Sequence, residues 1–218
     1  MARADRTGNR KPRSARESKR IPELGYYIVV TDAVGTEPQY FNGLHDSLPK
    51  NLQDKLVIKV IETKTKDMVQ KCLELTAYEA QYRTPWIVFD RDKVINFDEI
   101  IKEAQRHGIN VGWSNPCFEI WMFAYYGSMP TISQSWICCQ KFGEIYQKKT
   151  GFEYSKTDSS LYRKLCSTGN ENKAIAIADQ RHAQNIKNGY HKPSEMVPCS
   201  TVYELVREIR SKLEQAET

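Results

Sequence analysis

A chain of 218 residues fits one globular domain, or one domain with an appendage, and 40% hydrophobic with 11% aromatic content supplies enough material for a core. No apolar run approaches the roughly 20 residues that a bilayer-spanning helix needs, and the N-terminus carries no apolar signal-peptide core, so a cytoplasmic protein with no membrane contact is expected. The net charge of +5 is concentrated: residues 1–20 hold eight Lys/Arg against two Asp/Glu, a net +6, which leaves the rest of the chain at −1.

Residues 1–22 therefore read as a basic arm, disordered when free because it has almost no apolar side chains to bury. Such an arm, with Arg13 and Arg16 among its cations, can hold RNA or DNA phosphates without reading sequence. The alternative is a solubilising arm with no ligand.

After Pro22 short β-branched or aromatic runs alternate with helical patterns. Tyr26 to Thr31 reads as a strand, then Glu37 to Ser47 as a helix with Tyr40, Phe41 and Leu44 on one face. "LVIKVIE" (56–62) is a second strand, followed by a helix over Met68 to Tyr82. "PWIVFD" (85–90) is a third strand, continuous in apolar side chains as a buried parallel strand should be. A helix over Phe97 to Arg106 stops at His107-Gly108, and "INVGW" (109–113) is a fourth strand. This alternation predicts an α/β fold: a mostly parallel four-stranded sheet with helices on both faces, over residues 23–127. Beyond Pro116 a nearly all-apolar segment, "CFEIWMFAYYG", is followed by helical patterns over 133–149, 158–167, 171–188 and 201–216. Residues 128–218 are thus expected to be all-helical and packed on the core.

Three acidic corners carry the candidate chemistry. The first strand ends at Asp32, and Glu37 follows in the first turn of the next helix. The third strand ends in "FDRDK", whose Asp90 and Asp92 can point the same way because alternate residues of an extended segment do. Carboxylates gathered at one sheet edge repel each other unless cations lie between them, and Mg²⁺ (or Mn²⁺) suits a few carboxylates plus water and phosphate oxygens. The alternative makes Asp90 a cap and Asp92 a solvated turn residue. In "WSNPCFEIW", Asn115 is a candidate helix cap with Pro116 at the first helical position. Glu119 then falls in a first turn among apolar neighbours, either as a helix-terminus hydrogen-bonding group or as an acid beside the cluster. Asn115 is also a candidate positioning residue.

The six cysteines form no CxxC pair, and no His pair stands at ligand spacing, so they read as small apolar residues rather than a structural zinc site. No GxxxxGK[ST] stretch is present, which sets aside a P-loop NTPase, and no nucleophile elbow is present either.

The order "TEPQYF", "VFDRD", "GWSNPCFEIW" and "PCSTVYELV" resembles the RloB-like proteins, over nearly the whole chain apart from the arm. The resemblance implies membership of the wider Toprim superfamily and kinship with abortive-infection proteins of the AbiL type in bacterial anti-phage defence. It implies a Toprim-like core with Asp32 as the lone acid after strand one, and Asp90 with Asp92 as the pair that binds Mg²⁺. It also implies an AAA-type ATPase partner. The pattern departs after strand one: relatives usually carry Glu-Gly where this chain has Asp32-Ala33, and the turn, reading "AVGTE", lacks the glycine and lysine many of them have. Aspartate sets the carboxyl back by roughly 1.5 Å, about one C–C bond.

Two function classes follow. The first is a Mg²⁺-dependent nuclease, acting on RNA (tRNA included) rather than DNA. In it Asp32, Asp90 and Asp92 hold the metal; Asp32, Glu37 and Glu119 serve as acid–base groups; and Arg91, Lys64 and Lys66 contact phosphate. The second is a non-catalytic subunit of an ATPase-containing defence assembly, with the apolar helix at 118–126 as a protein interface. A homodimer is a further candidate assembly.

Overall fold

The apolar runs form strands where their spacing predicts them: β1 (Gly25–Thr31), β2 (Leu56–Glu62), β3 (Arg83–Asp90) and β4 (Asn110–Asn115), all mutually parallel. The structure, a computed structural model, describes residues 22–32, 35–77, 82–92 and 94–217, so the arm with Arg13 and Arg16 lies outside the described residues.

A fifth strand, β5 (Cys199–Ser200), pairs antiparallel with β4, Ser114 opposite Ser200 and Asn115 opposite Cys199. The expected four-stranded sheet with an all-helical C-terminal half is corrected accordingly. Two residues are too few to show period-2 alternation. They become a strand because the outer edge of β4 has backbone groups to satisfy. Ser114 and Ser200 hydroxyls also meet at 2.9 Å, and Thr201 N donates to Trp113 O at 2.8 Å.

The order across the sheet is β2-β1-β3-β4-β5. From β1 the chain steps outward to β2, then crosses back to β3 on the other side of β1. The connections therefore diverge at the carboxyl ends of β1 and β3, leaving a crevice of the kind where open α/β sheets bind ligands.

The helices cover both faces of this sheet. Early in the chain come α1 (Thr36–Asp46), the short α2 (Lys50–Gln53), α3 (Met68–Thr76) and α4 (Phe97–Arg106). Then follow α5 (Glu119–Tyr125), α6 (Ser135–Thr150), α7 (Leu161–Thr168), α8 (Glu171–Lys187) and α9 (Val202–Glu217). The pleat sorts the strand residues. Tyr27, Val29, Trp86 and Val88 join α1, α5 and α9 on one face, while Ile28, Val30, Ile87 and Phe89 join α3 and α4 on the other. Helix α4 spans the residues its pattern predicts, and Gly108 beyond it takes φ +69°, the left-handed conformation of a helix stop.

Two helical expectations are revised. α3 ends at Thr76 rather than reaching Tyr82, which leads directly into β3; residues 78–81 lie outside the described ones. Every residue of α5 is buried in the chain's own core, Trp121 and Met122 completely. That burial removes this helix as a partner interface: its apolar faces are taken by α1, α6, α8 and the sheet. No helix among the described residues is long and apolar enough to cross a membrane.

Candidate active site

Asp32 follows β1 directly and Asp90 is the last residue of β3, so the two tips that flank the crevice both end in carboxylates. Asp90 continues the pleat of Trp86 and Val88, onto the face that carries α1 and α5. Those helices bring Glu37 in the first turn of α1 and Glu119 at the start of α5. Asp92 completes the group from the turn after β3. That turn is pinned to the end of β4: Arg91 N donates to Ser114 O at 2.9 Å, and Asp92 N to Pro116 O at 3.0 Å.

The electrostatics follow from crowding and burial. Burial lifts the Asp90 carboxyl well above the usual carboxylate range, and the charges of Glu37, Asp32, Glu119 and Asp92 lift it further. Glu37, only 4% exposed, is pushed up to about 8 by burial and then by Asp32, with Glu119 adding to the effect. Its own backbone N–H and Lys156 pull the other way. Asp32 is raised by burial and by Asp92, although Thr65 Oγ1 donates to its Oδ2 at 3.2 Å.

Glu119 differs. It is fully buried, which by itself would raise it, yet it is held below the usual carboxylate range. Lys156 Nζ stands 3.1 Å from Glu119 Oε1, and Tyr154 donates its hydroxyl hydrogen to the same oxygen at 2.9 Å. The Cys117 thiol and the Glu119 backbone N–H add to the stabilisation of the charged form.

Two clefts of about 540 Å³ each open on either side of Asp90 and Asp92, which line both. One is completed by Asp32, Lys64, Thr65 and Lys66; the other by Cys117, Cys139, Trp136 and Lys156. Carboxylate oxygens gathered at two adjacent strand tips are the donor type a hard divalent cation such as Mg²⁺ takes. Asp32, Asp90 and Asp92 are by donor chemistry the side chains for the expected ion, although among the described residues the acid- or thiol-bearing group whose ligand atoms lie within 4.8 Å of one another is Cys117, Glu119 and Cys139.

The RloB-like protein family model matches residues 27–209, which include every one of these acids. The chain belongs to the RloB-like family. No curated protein and no solved structure matches it.

In this RloB-like chain the fold brings together Asp32, Glu37, Asp90, Asp92 and Glu119, and sets Lys64 and Lys66 on the cleft wall. Arg91 is half-buried, its Nε enclosed without a hydrogen-bond partner, and it stands outside the lining of both clefts. Asn115 does not cap a helix. It is the buried last residue of β4, and its Nδ2 donates to Pro193 O and Ser194 O at 3.1 and 3.2 Å. Helix α5 starts four residues later, so the Asn115 side chain is spent on fixing the segment before β5 rather than on orphan amides. Sequence reasoning missed Thr65, Tyr154 and Lys156. The two latter residues lie in the α6–α7 connection with no local pattern to mark them, and only tertiary folding places them on Glu119.

Proposed function

We propose that this RloB-like protein is a Mg²⁺-dependent nuclease with a Toprim-like carboxylate set, cleaving RNA phosphodiesters, tRNA among them, in bacterial anti-phage defence. The observation that carries the reading is the convergence of Asp32, Glu37, Asp90 and Asp92 at the β1/β3 switch point, where burial first and their neighbouring charges second raise three of them.

Bound Mg²⁺ would supply charge neutralisation and a template for the phosphate oxygens. Asp90 and Asp92 would hold it, with Asp32 as third donor. Glu37 is the group that holds a proton near neutral pH and can exchange one with an entering or leaving oxygen. Lys64 and Lys66 on the cleft wall attract the substrate's neighbouring phosphates. Glu119, already charged and paired, positions Lys156 and Tyr154.

A calorimetric Mg²⁺ titration of wild type and Asp90→Ala/Asp92→Ala tests this, followed by incubation of both with total tRNA and Mg²⁺ or Mn²⁺. Saturable binding and metal-dependent cleavage, both lost in the double variant, support the nuclease. No metal binding by wild type removes the active-site reading.

Binding without cleavage favours a second reading, a non-catalytic subunit of an ATPase-containing defence assembly. One observation points that way: Asp32, shorter than the glutamate that the family resemblance implies there, accepts a hydrogen bond from Thr65 Oγ1 at 3.2 Å. A displacement of about 1 Å at a reacting group can lower a rate on the order of 100-fold.

A further inference from the structure

The second cleft carries a cluster that the carboxylate chemistry does not use. Cys117, from the turn between β4 and α5, and Cys139, from the second turn of α6, place their sulfurs 4.0 Å apart. A carboxylate oxygen of Glu119 joins them, the three atoms lying within 4.8 Å of one another. All of these cysteines are free thiols.

Four features make this more than a pair of packed thiols. Two sulfurs bound to one tetrahedral Zn²⁺ at about 2.3 Å stand about 3.8 Å apart, close to the separation here. Lys156 and Tyr154 both engage Glu119 Oε1, while its Oε2 is buried without a hydrogen-bond partner; the Cys117 thiol, which also favours the charged carboxylate, is itself a member of the cluster. A buried carboxylate oxygen left bare is costly, and a ligand to it removes that cost. The existing Oε1 contacts are also the outer support that a ligating carboxylate needs to hold its orientation. Charge balances as well: two thiolates and one carboxylate carry −3, and a divalent ion with the Lys156 ammonium carries +3.

We infer that Cys117, Cys139 and Glu119 form a binding site for a thiophilic divalent cation of the Zn²⁺ class, distinct from the oxygen-donor site at Asp90 and Asp92. Binding breaks two S–H bonds, forms two metal–sulfur bonds and releases two protons to solvent. Both sulfurs line the cleft, so the fourth coordination position opens toward it and admits water. The ion would tie the start of α5 to α6 beside the carboxylates. Sequence spacing gave no sign of it, because Cys117 and Cys139 belong to separate elements and the third ligand is not a cysteine or histidine.

The test is a zinc titration of reduced, chelator-stripped full-length protein against a chromogenic chelator, with cobalt as optical probe. Wild type should bind one equivalent, release about two protons, and give near-ultraviolet thiolate-to-cobalt charge transfer. Asp90→Ala/Asp92→Ala should retain this binding, whereas Cys117→Ser/Cys139→Ser should weaken it by at least about 100-fold. Zinc affinity unchanged in the cysteine variant overturns the assignment, as does wild type that binds no zinc. The cobalt spectrum of wild type decides the matter even if the cysteine variant misfolds: a spectrum without thiolate charge transfer also overturns it. Because Mg²⁺ binding is read separately at Asp90 and Asp92, failure here leaves the nuclease reading untouched.

Discussion

Lys156 Nζ stands 3.1 Å from Glu119 Oε1, joining an exposed cation to a fully buried anion at the first turn of α5. The pair is asymmetric: Lys156 can turn to water if its partner is lost, but Glu119 cannot. Lys156→Met should therefore lower stability by about 1–3 kcal/mol at neutral pH, the cost of an under-compensated buried acceptor, with Tyr154 still donating. Glu119 is held below its usual range, so the stability it contributes is present above the unfolded carboxylate value and is lost as pH falls through its depressed one. In the variant, burial unopposed by Lys156 makes Glu119 take up a proton instead. The difference between the two proteins should shrink toward pH 4, and urea unfolding across that range checks it.

Glu37 has the opposite sign. Its carboxyl is raised to about 8 by burial and then by Asp32, against 4.5 when unfolded. Between those values the unfolded chain has lost the proton that the folded chain keeps, so metal-free stability falls as pH rises from about 4.5 to 8. Glu37→Gln keeps the side-chain volume and removes the titration. The variant should be flatter over this window and more stable than wild type at pH 8, gaining about 2–4 °C in Tm for each kcal/mol relieved. Thermal melts in chelator at pH 5 and pH 8 measure it. A parallel pH dependence in both proteins would count against Glu37 as its source.

Much of the frame behind these groups was legible in the chain itself. "LVIKVIE" and Phe97 to Arg106 became β2 and α4 with the bounds their patterns predict, because each alternates or repeats over enough residues to fix its period. Asp32 and Asp90 were legible as strand-end acids for the same reason. What was not legible came from long-range pairing. β5 is two residues long and exists through the edge of β4. Asn115 looks like a cap beside Pro116, yet its amide is taken by Pro193 and Ser194. Lys156 and Tyr154 sit in a connection whose composition resembles any solvated loop.

The carboxylate group also predicts how metal should act on stability. Asp90 is raised above its ordinary range by burial and by four neighbouring carboxyls, so a cation there relieves repulsion in the folded state alone. Mg²⁺ at about 100 times its dissociation constant should add about 2.7 kcal/mol to wild type. Asp90→Asn/Asp92→Asn should start more stable than wild type in chelator, since the buried carboxyl that resists ionisation and a neighbour that adds to its strain are both gone, and gain nothing from Mg²⁺. Melting both proteins with and without the ion gives the four values needed. A variant that still gains as much as wild type would place the ion elsewhere.

The approach of α1 to α7 sets where Glu37 stands, and a pair of glycines tests it. A Cβ on Gly43 would lie 2.6 Å from Tyr162 Cβ, too close for any side chain and against an atom fixed to the α7 backbone. Tyr162 is buried and meets the Tyr40 ring edge-on at 5.1 Å, so it has no room to yield. A Cβ on Gly143 in α6 would instead meet Tyr154 Cβ at 3.7 Å, an ordinary contact. Both positions lie inside helices, where alanine is favoured over glycine by about 1 kcal/mol. Gly143→Ala should therefore stabilise the protein by up to about 1 kcal/mol. Gly43→Ala should destabilise it by about 1–3 kcal/mol, as overpacking overrides the helix preference. Urea unfolding of the two variants reads the difference in sign, and equal signs would mean that α1 can slide away from α7 and take Glu37 with it.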